Sequence, residues 1–229
     1  MSPPKAAAAA PGKRRILILD DHPMMREGLA QLIKNEPDLT VCGEAGSGHE
    51  AIAMVAKARP DLLLADISLP DKDGIEVVKD LQALHPALPV LVISMHDESL
   101  YTERVLRAGG RGYIMKQEGG KKLMIAIRQV LSGQIYVSDK MSARILESFS
   151  GRGERAGQIP IESLTDREFE VLKFLGQAKG TREISEQLHL SIKTVDAHRA
   201  NIKRKLNLKT SPELVRYAVR WVETQKLGG

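Results

Sequence analysis

Four side chains carry the first chemical suggestion. Asp20 and Asp21 follow the apolar run at 16–19, Asp66 follows the run at 62–65, and Lys116 follows the run at 112–115. Carboxylates brought together repel one another and resist ionisation unless a cation lies among them. A lysine ammonium meets that need, and so does Mg2+, a hard ion that takes few protein carboxylates and keeps water or phosphate oxygens as its other ligands. In such a set one carboxylate can attack a phosphoryl group while the cations offset the charge of the transition state. On spacing alone, solvated acids at strand ends account for the same residues.

Bringing these four together requires a particular fold. Apolar runs at 16–19, 41–44, 62–65, 90–93 and 112–115 alternate with amphipathic stretches at 24–33, 50–57, 75–84, 100–106 and 123–131. Five strand-helix pairs predict an α/β domain with a five-stranded, doubly wound parallel sheet. Buried parallel strands read as continuous apolar runs, and their crossovers are helical. Ligands gather at the carboxyl ends of such strands, where all four residues fall.

After Leu131 the alternation stops. A short helix is expected around 139–149, and the glycine-rich, charged stretch at 150–157 reads as a flexible linker. Residues 161–229 read as a small all-α domain. Thr165-Asp-Arg-Glu168 is a capping box opening a helix with Phe169, Val171, Leu172 and Leu175. A short helix at 181–188 and a longer one from Ser191 to about Leu206, joined at His189-Leu190, have the outline of a helix-turn-helix. Ser211 before Pro212 reads as the N-cap of the last helix. The expected organisation is a disordered leader at 1–12, the sheet domain at 13–131, a linker at 132–160 and the helical domain at 161–229.

Composition narrows the partners. Residues 163–229 carry 13 Lys/Arg against 8 Asp/Glu, whereas 13–131 carry 16 against 17, so the net charge of +5 belongs to the last third. A basic tail beside a neutral domain suggests that only the tail meets a polyanion. Aromatics make up 3% of the chain, which argues against base-stacking platforms for single strands. The lone Cys42 cannot close an internal disulfide, and no apolar stretch is long enough for a membrane span, so a cytoplasmic protein is expected. Gly46-Ser-Gly48 lacks the spacing of a phosphate-cradling loop.

On the helix from Ser191, the residues Val195, His198, Ile202 and Leu206 recur at core spacing. The opposite stripe is Lys193, Asp196, Ala197, Ala200, Lys203 and Arg204. Small residues let a backbone approach the major-groove floor, and lysine and arginine meet phosphates. Lys193 can donate to guanine, Asp196 can accept from cytosine, and an alanine methyl can touch thymine. Thr181 and Arg182 stand where they can meet the phosphate backbone. The last helix carries two apolar rows, Leu214-Ala218-Trp221 and Val215-Val219-Val222, more than one small domain needs to cover.

The segments Ile18-Leu-Asp-Asp-His-Pro-Met-Met-Arg, Leu64-Ala-Asp-Ile-Ser-Leu-Pro-Asp-Lys-Asp-Gly74, Val92-Ile-Ser-Met-His-Asp97 and Gly112-Tyr-Ile-Met-Lys116 resemble the receiver domain of two-component response regulators. With Thr165-Asp-Arg-Glu and Thr194-Val-Asp-Ala-His-Arg-Ala-Asn-Ile-Lys-Arg-Lys-Leu206, the chain resembles the NarL/FixJ subfamily, whose output is a LuxR-type helix-turn-helix. The resemblance implies that Asp66 accepts a phosphoryl group from a sensor histidine kinase. It implies a Mg2+ site of Asp20, Asp21, Asp66 and the Ser68 backbone carbonyl. Ser94 then matches the hydroxyl that bonds the phosphoryl group, Tyr113 the aromatic that swings inward with it, and Lys116 the lysine that pairs with its oxygens. Thr181, Arg182, Lys193, Thr194, Asp196, Ala197, Ala200, Lys203 and Arg204 become the expected DNA contacts, on double-stranded DNA with paired half-sites bound by a homodimer. No catalysis beyond weak self-dephosphorylation is implied.

Four residues depart from the family pattern. Gln117 replaces a frequent proline, Ser68 a frequent larger side chain, Ala178 a frequent glycine and Ser185 a frequent alanine. Two other readings keep the same residues: a receiver that serves only as a dimerisation or ligand-sensing module, and a Mg2+-dependent phosphotransfer enzyme acting on small molecules.

Overall fold

The computed structural model describes residues 12–69, 71–72, 74–149, 161–188 and 190–227. Residues 1–11 of the leader expected at 1–12, the glycine-rich stretch at 150–157 and His189 of the turn lie outside them. The chain divides into two compact units, Met1–Ala143 and Arg144–Gly229. Among the described residues no helix is long and apolar enough to cross a membrane.

The first unit alternates β1 (Arg14–Leu19), α1 (Pro23–Lys34), β2 (Leu39–Ala45), α2 (Gly48–Ala58), β3 (Leu62–Ala65), α3 (Gly74–Leu84), β4 (Val90–Ser94), α4 (Glu98–Arg107), β5 (Gly112–Met115) and α5 (Gly119–Leu131). The five strands form one parallel sheet in the order β2-β1-β3-β4-β5. Strand order therefore reverses direction beside β1, and the crevice at the carboxyl ends of β1 and β3 is the natural ligand position. Ile16 and Ile18 of β1, Leu62 and Leu64 of β3, and Leu91 and Ile93 of β4 pack with Leu29 and Ile33 of α1 and with Leu123, Ile127 and Val130 of α5. The alternate residues Leu17, Leu19, Leu63, Val90 and Val92 are buried as well. Each buried aliphatic side chain contributes about 1.5–3 kcal/mol, so a sheet covered on both faces holds its strand ends in fixed register.

Gly74 is required where α3 begins. A Cβ there would overlap the backbone of Ile67, and the Gly74 N–H donates to the Ile67 carbonyl at 3.2 Å. This close approach pins the loop that follows Asp66.

The segment assigned to a linker from residue 132 is packed against the first unit as far as Met141. Tyr136 forms a bridge with Gly112, its carbonyl accepts from the Tyr113 N–H at 3.0 Å, and Met141 is fully buried. The Ser138 hydroxyl donates to Glu98 at 2.7 Å and accepts from the Met141 N–H, opening α6 (Asp139–Phe149). The reason lies in the sheet: β5 is an edge strand, and its free N–H and C=O groups recruit the chain that follows α5.

The second unit comprises α7 (Asp166–Gly176), α8 (Thr181–Gln187), α9 (Ile192–Lys205) and α10 (Ser211–Leu227). The Thr165–Glu168 capping box is formed, and buried Glu168 also takes the Lys205 ammonium at 2.6 Å, tying α7 to the end of α9. Leu172, Ile184, Val195, Ile202, Leu214 and Ala218 are fully buried. Gly176 allows α10 to cross α7 closely, since a Cβ there would overlap the Ala218 carbonyl oxygen. The N-cap of α10 is Thr210 and not Ser211: its hydroxyl accepts from the Glu213 N–H, while Ser211 lies in the first turn. Proline is tolerated anywhere in a first turn, so Pro212 alone does not set the cap to one residue.

Candidate functional site

The register of β1 on β3 builds the acidic site. Leu19 pairs with Ala65, so Asp20 and Asp66 stand side by side as the next residues of neighbouring strands. The ladder continues past both strands: the Asp66 N–H donates to the Leu19 carbonyl at 2.7 Å and the Asp20 N–H to the Ala45 carbonyl at 3.1 Å. Lys116 leaves β5 two strand spacings from β3, roughly 10 Å, a gap its extended side chain closes. Its ammonium lies 2.7 Å from Asp20 Oδ2 and 2.6 Å from Asp66 Oδ2.

The three are almost wholly out of water, with side-chain exposures of 0% for Asp20, 3% for Asp66 and 6% for Lys116. Burial pushes the Asp66 carboxyl above the usual carboxylate range, against the pull of Lys116. Burial alone would lower the Lys116 pKa, but Asp66 and Asp20 outweigh it and hold the ammonium above its ordinary range. The lysine therefore stays charged and shares its ammonium between two carboxylates.

Asp21 stands beside this pair, partly exposed, and does not touch Lys116. Its Oδ1 is buried and accepts no hydrogen bond, although His22 Nδ1 lies 2.5 Å away without bonding geometry. Ligand atoms of Asp20, Asp21, His22 and Asp66 all lie within 4.8 Å of one another. A buried carboxylate oxygen that accepts no hydrogen bond, beside two further carboxylates, fits a hard divalent cation.

Around Asp66 the hydroxyl residues meet at one histidine. The Ser68 N–H donates to Asp66 Oδ1 at 3.1 Å, and the Ser68 hydroxyl bonds with His96 Nε2 at 3.1 Å. The fully buried Ser94 accepts from the His96 N–H at 3.1 Å, and the Tyr113 hydroxyl donates to the His96 carbonyl at 2.8 Å. The His96 ring stacks on Tyr101 with centroids 4.9 Å apart. Tyr113 is 1% exposed, and burial pushes its phenol pKa far up. Sequence reasoning missed three contributors here: His22, His96 and Arg26, whose guanidinium donates to the Asp20 carbonyl at 2.5 Å. His22, His96 and Arg26 all lay inside the motifs quoted, but only packing reveals what they touch.

The second unit presents a second candidate surface. Along α9, Lys193, Asp196, Ala197, Ala200 and Arg204 are exposed and Lys203 is half-buried, while Val195, Ile202 and Leu206 are buried and His198 is half-buried. Burial lowers the His198 pKa, keeping the ring neutral. Ser191 caps α9 through the Thr194 N–H at 3.1 Å, and its hydroxyl bonds with that of Thr194 at 2.8 Å. Thr181 is held by the Arg199 guanidinium, and exposed Arg182 pairs with Glu186 at 3.3 Å. The Ser185 hydroxyl donates to the Leu190 carbonyl at 2.6 Å and the Leu190 N–H to the Ser185 carbonyl at 2.9 Å, closing the turn between α8 and α9. Ala178 sits at φ 62°, left-handed backbone that favours glycine.

Comparison with known proteins gives a consistent picture. Residues 16–128 match the response regulator receiver domain family, and residues 162–218 match the bacterial regulatory proteins of the luxR family. The oxygen regulatory protein NreC of Staphylococcus carnosus is 35% identical over 210 residues, covering 90% of this chain and 97% of NreC. A two-component response regulator of the LuxR family from Aurantimonas sp. SI85-9A1 matches with TM-score 0.57 at 31% identity, over 61% of this chain and 99% of that one. RcsB from Salmonella enterica serovar Typhimurium, bound to promoter rprA in the presence of the phosphomimetic BeF3-, matches with TM-score 0.58 at 26% identity, over 91% and 99%.

Proposed function

Since the chain belongs to the two-component response regulators that join a receiver domain to a LuxR-type DNA-binding domain, we propose that Asp66 is its phosphoacceptor and that the charge gained there governs binding of α9 to DNA. The chain is a DNA-binding transcription regulator.

The observation that carries the assignment of Asp66 is its position, buried beside Asp20 and Asp21 and bonded to Lys116 at 2.6 Å. Asp20, Asp21 and Asp66, with the Ser68 carbonyl, are the residues that would hold Mg2+. When bound, that ion supplies positive charge against the phosphoryl oxygens. An oxygen of Asp66 attacks phosphorus, the P–N bond of the kinase phosphohistidine breaks, and its electron pair stays with the imidazole. Lys116 stays protonated throughout and offsets the negative charge of the transferred group. Ser94 then turns its hydroxyl from the His96 N–H toward the new phosphoryl oxygens. That exchange loosens a loop to which Tyr113 is also bonded, a small two-state element that added charge can bias.

On DNA, Lys193, Asp196, Ala197 and Ala200 face the bases, and Lys203, Arg204 and Arg182 meet phosphates. Thr181 and Thr194 act through the hydrogen bonds that set α8 and the start of α9. The half-buried row Val215-Val219-Val222 supports a homodimer through α10 on paired half-sites.

Incubation of the full chain with Mg2+ and acetyl phosphate tests the assignment. A labile adduct in the wild type, absent from Asp66→Asn, is expected. An unmodified wild type, or equal modification of the variant, would overturn it.

A further inference from the structure

At the opposite edge of the sheet, where β1, β3, β4 and β5 begin, lies a groove of ≈ 790 Å³. Arg14, Arg59 and Arg111 line it together with His85, and among the described residues Asp61 is the only acid in its wall. That acid is taken: it accepts from the Arg14 guanidinium at 3.1 Å and from the Arg15 N–H at 2.7 Å. Arg59 and Arg111 have no ion-pair or hydrogen-bonding side-chain partner among the described residues, so two guanidinium groups face the groove uncompensated.

The carbonyl ends of helices also point to this edge, and arginines often serve to neutralise them. For α2 that role is filled, because Arg15 donates to the Ala58 carbonyl at 2.8 and 3.2 Å. Arg59 itself closes α2 at φ 43°, left-handed backbone where glycine is favoured. A β-carbon held in that conformation points to a use for the side chain. The floor is apolar: Leu84 is 61% exposed and lies beside Leu88 and Val130, with Pro60 and Pro86 stiffening the rim. The groove's size falls within the range of small-molecule sites, roughly 300–1,000 Å³.

We propose that this groove binds a small phosphorylated metabolite of nucleotide size, with its phosphates on Arg59 and Arg111 and its ring over Leu84. Guanidinium groups recognise phosphate oxygens in pairs, and an exposed leucine flanked by prolines accepts the face of a planar ring. None of the lining residues belongs to the acidic cluster, and an occupant would stiffen the loops that start β3 and β5.

The test is calorimetric titration of the full chain with ADP and with GDP, in EDTA so that no metal bridges the phosphates. Saturable one-site binding is expected with at least one of them, and none with adenosine. Arg59→Gly combined with Arg111→Ala should weaken it by roughly tenfold or more, while thermal melting shows the chain still folded, since glycine suits that backbone. Lys203→Ala with Arg204→Ala, and separately Asp66→Asn, should leave it unchanged. The proposal fails if neither nucleotide saturates, if the Arg59/Arg111 variant binds as the wild type does, or if the Lys203/Arg204 variant loses binding.

Discussion

Replacing Lys116 by methionine asks whether one ammonium holds two buried carboxylates in place. Methionine keeps much of the side-chain volume, so the change removes charge more than packing. The ammonium contacts Asp20 and Asp66 at 2.7 and 2.6 Å, where the gross attraction of each pair at an effective dielectric near 20 is roughly 6 kcal/mol. Most of that offsets the cost of burying the charges. Losing one partner of such a set typically destabilises by about 3–5 kcal/mol, a large part of the roughly 5–15 kcal/mol that holds a domain together. Urea unfolding followed by far-UV circular dichroism at pH 8, without divalent ions, should show that deficit, with Trp221 fluorescence following the helical unit separately. The deficit should also depend on pH. Burial already raises the folded-state pKa of Asp66, so its ionisation penalty is full above that value and disappears as pH falls toward the unfolded value near ~3.9. Without Lys116 the pKa rises further, and the variant should recover stability as pH falls from 8 toward the unfolded-state value. Added Mg2+ should narrow the gap at pH 8, because the cation replaces the missing positive charge. A variant as stable as the wild type at pH 8, or a deficit indifferent to both pH and Mg2+, would refute this account of the site.

Ala178→Gly should stabilise the helical unit by about 1 kcal/mol, because it removes left-handed strain at φ 62° larger than the entropy it adds, and the Trp221 melting midpoint should rise by roughly 4–8 °C. Lys203→Ala and Arg204→Ala should each weaken binding to specific and random duplex alike and reduce the log–log salt slope by about 0.9 for each phosphate left without its cation, measured by fluorescence anisotropy. Val215→Glu with Val222→Glu should abolish dimers on DNA in gel-shift assays while the helical circular dichroism is retained. Arg128 bonds Asp38 and Glu36, and it holds the Asp38 carboxyl below its usual range. This ion pair is exposed, so Arg128→Ala should cost at most about 1 kcal/mol in urea at pH 7. That cost should vanish as pH falls through the carboxylate range, because the depressed pKa contributes only above it.

The parts of the molecule readable in advance share one property: their signal is local and periodic. Apolar runs of four residues marked the positions of β1, β3, β4 and β5, and Asp20, Asp66 and Lys116 follow three of them directly, so a parallel sheet necessarily brought them to one edge. The Thr165–Glu168 capping box likewise needed only four adjacent residues. What stayed hidden depends on contacts between distant positions. Residues 132–141 have no strand pattern, and Tyr136 pairs with Gly112 because an edge strand has groups to satisfy, which no window around Tyr136 reveals. Ser185 stands where alanine is frequent in the family, and the use of its hydroxyl is visible only in the fold, where the Leu190 carbonyl comes back to accept from it. His96 is the clearest case. Its side chain reaches Ser68 on the loop after β3 while its backbone takes both Ser94 and Tyr113, so three residues expected to respond to charge at Asp66 are wired to one position that spacing gave no reason to choose. The proposed turn of Ser94 toward a phosphoryl group exchanges the bond it accepts from the His96 N–H for one it donates to the new oxygens. The energy of that exchange, on the order of one hydrogen bond or about 1 kcal/mol, is the size expected of a switch that must remain reversible.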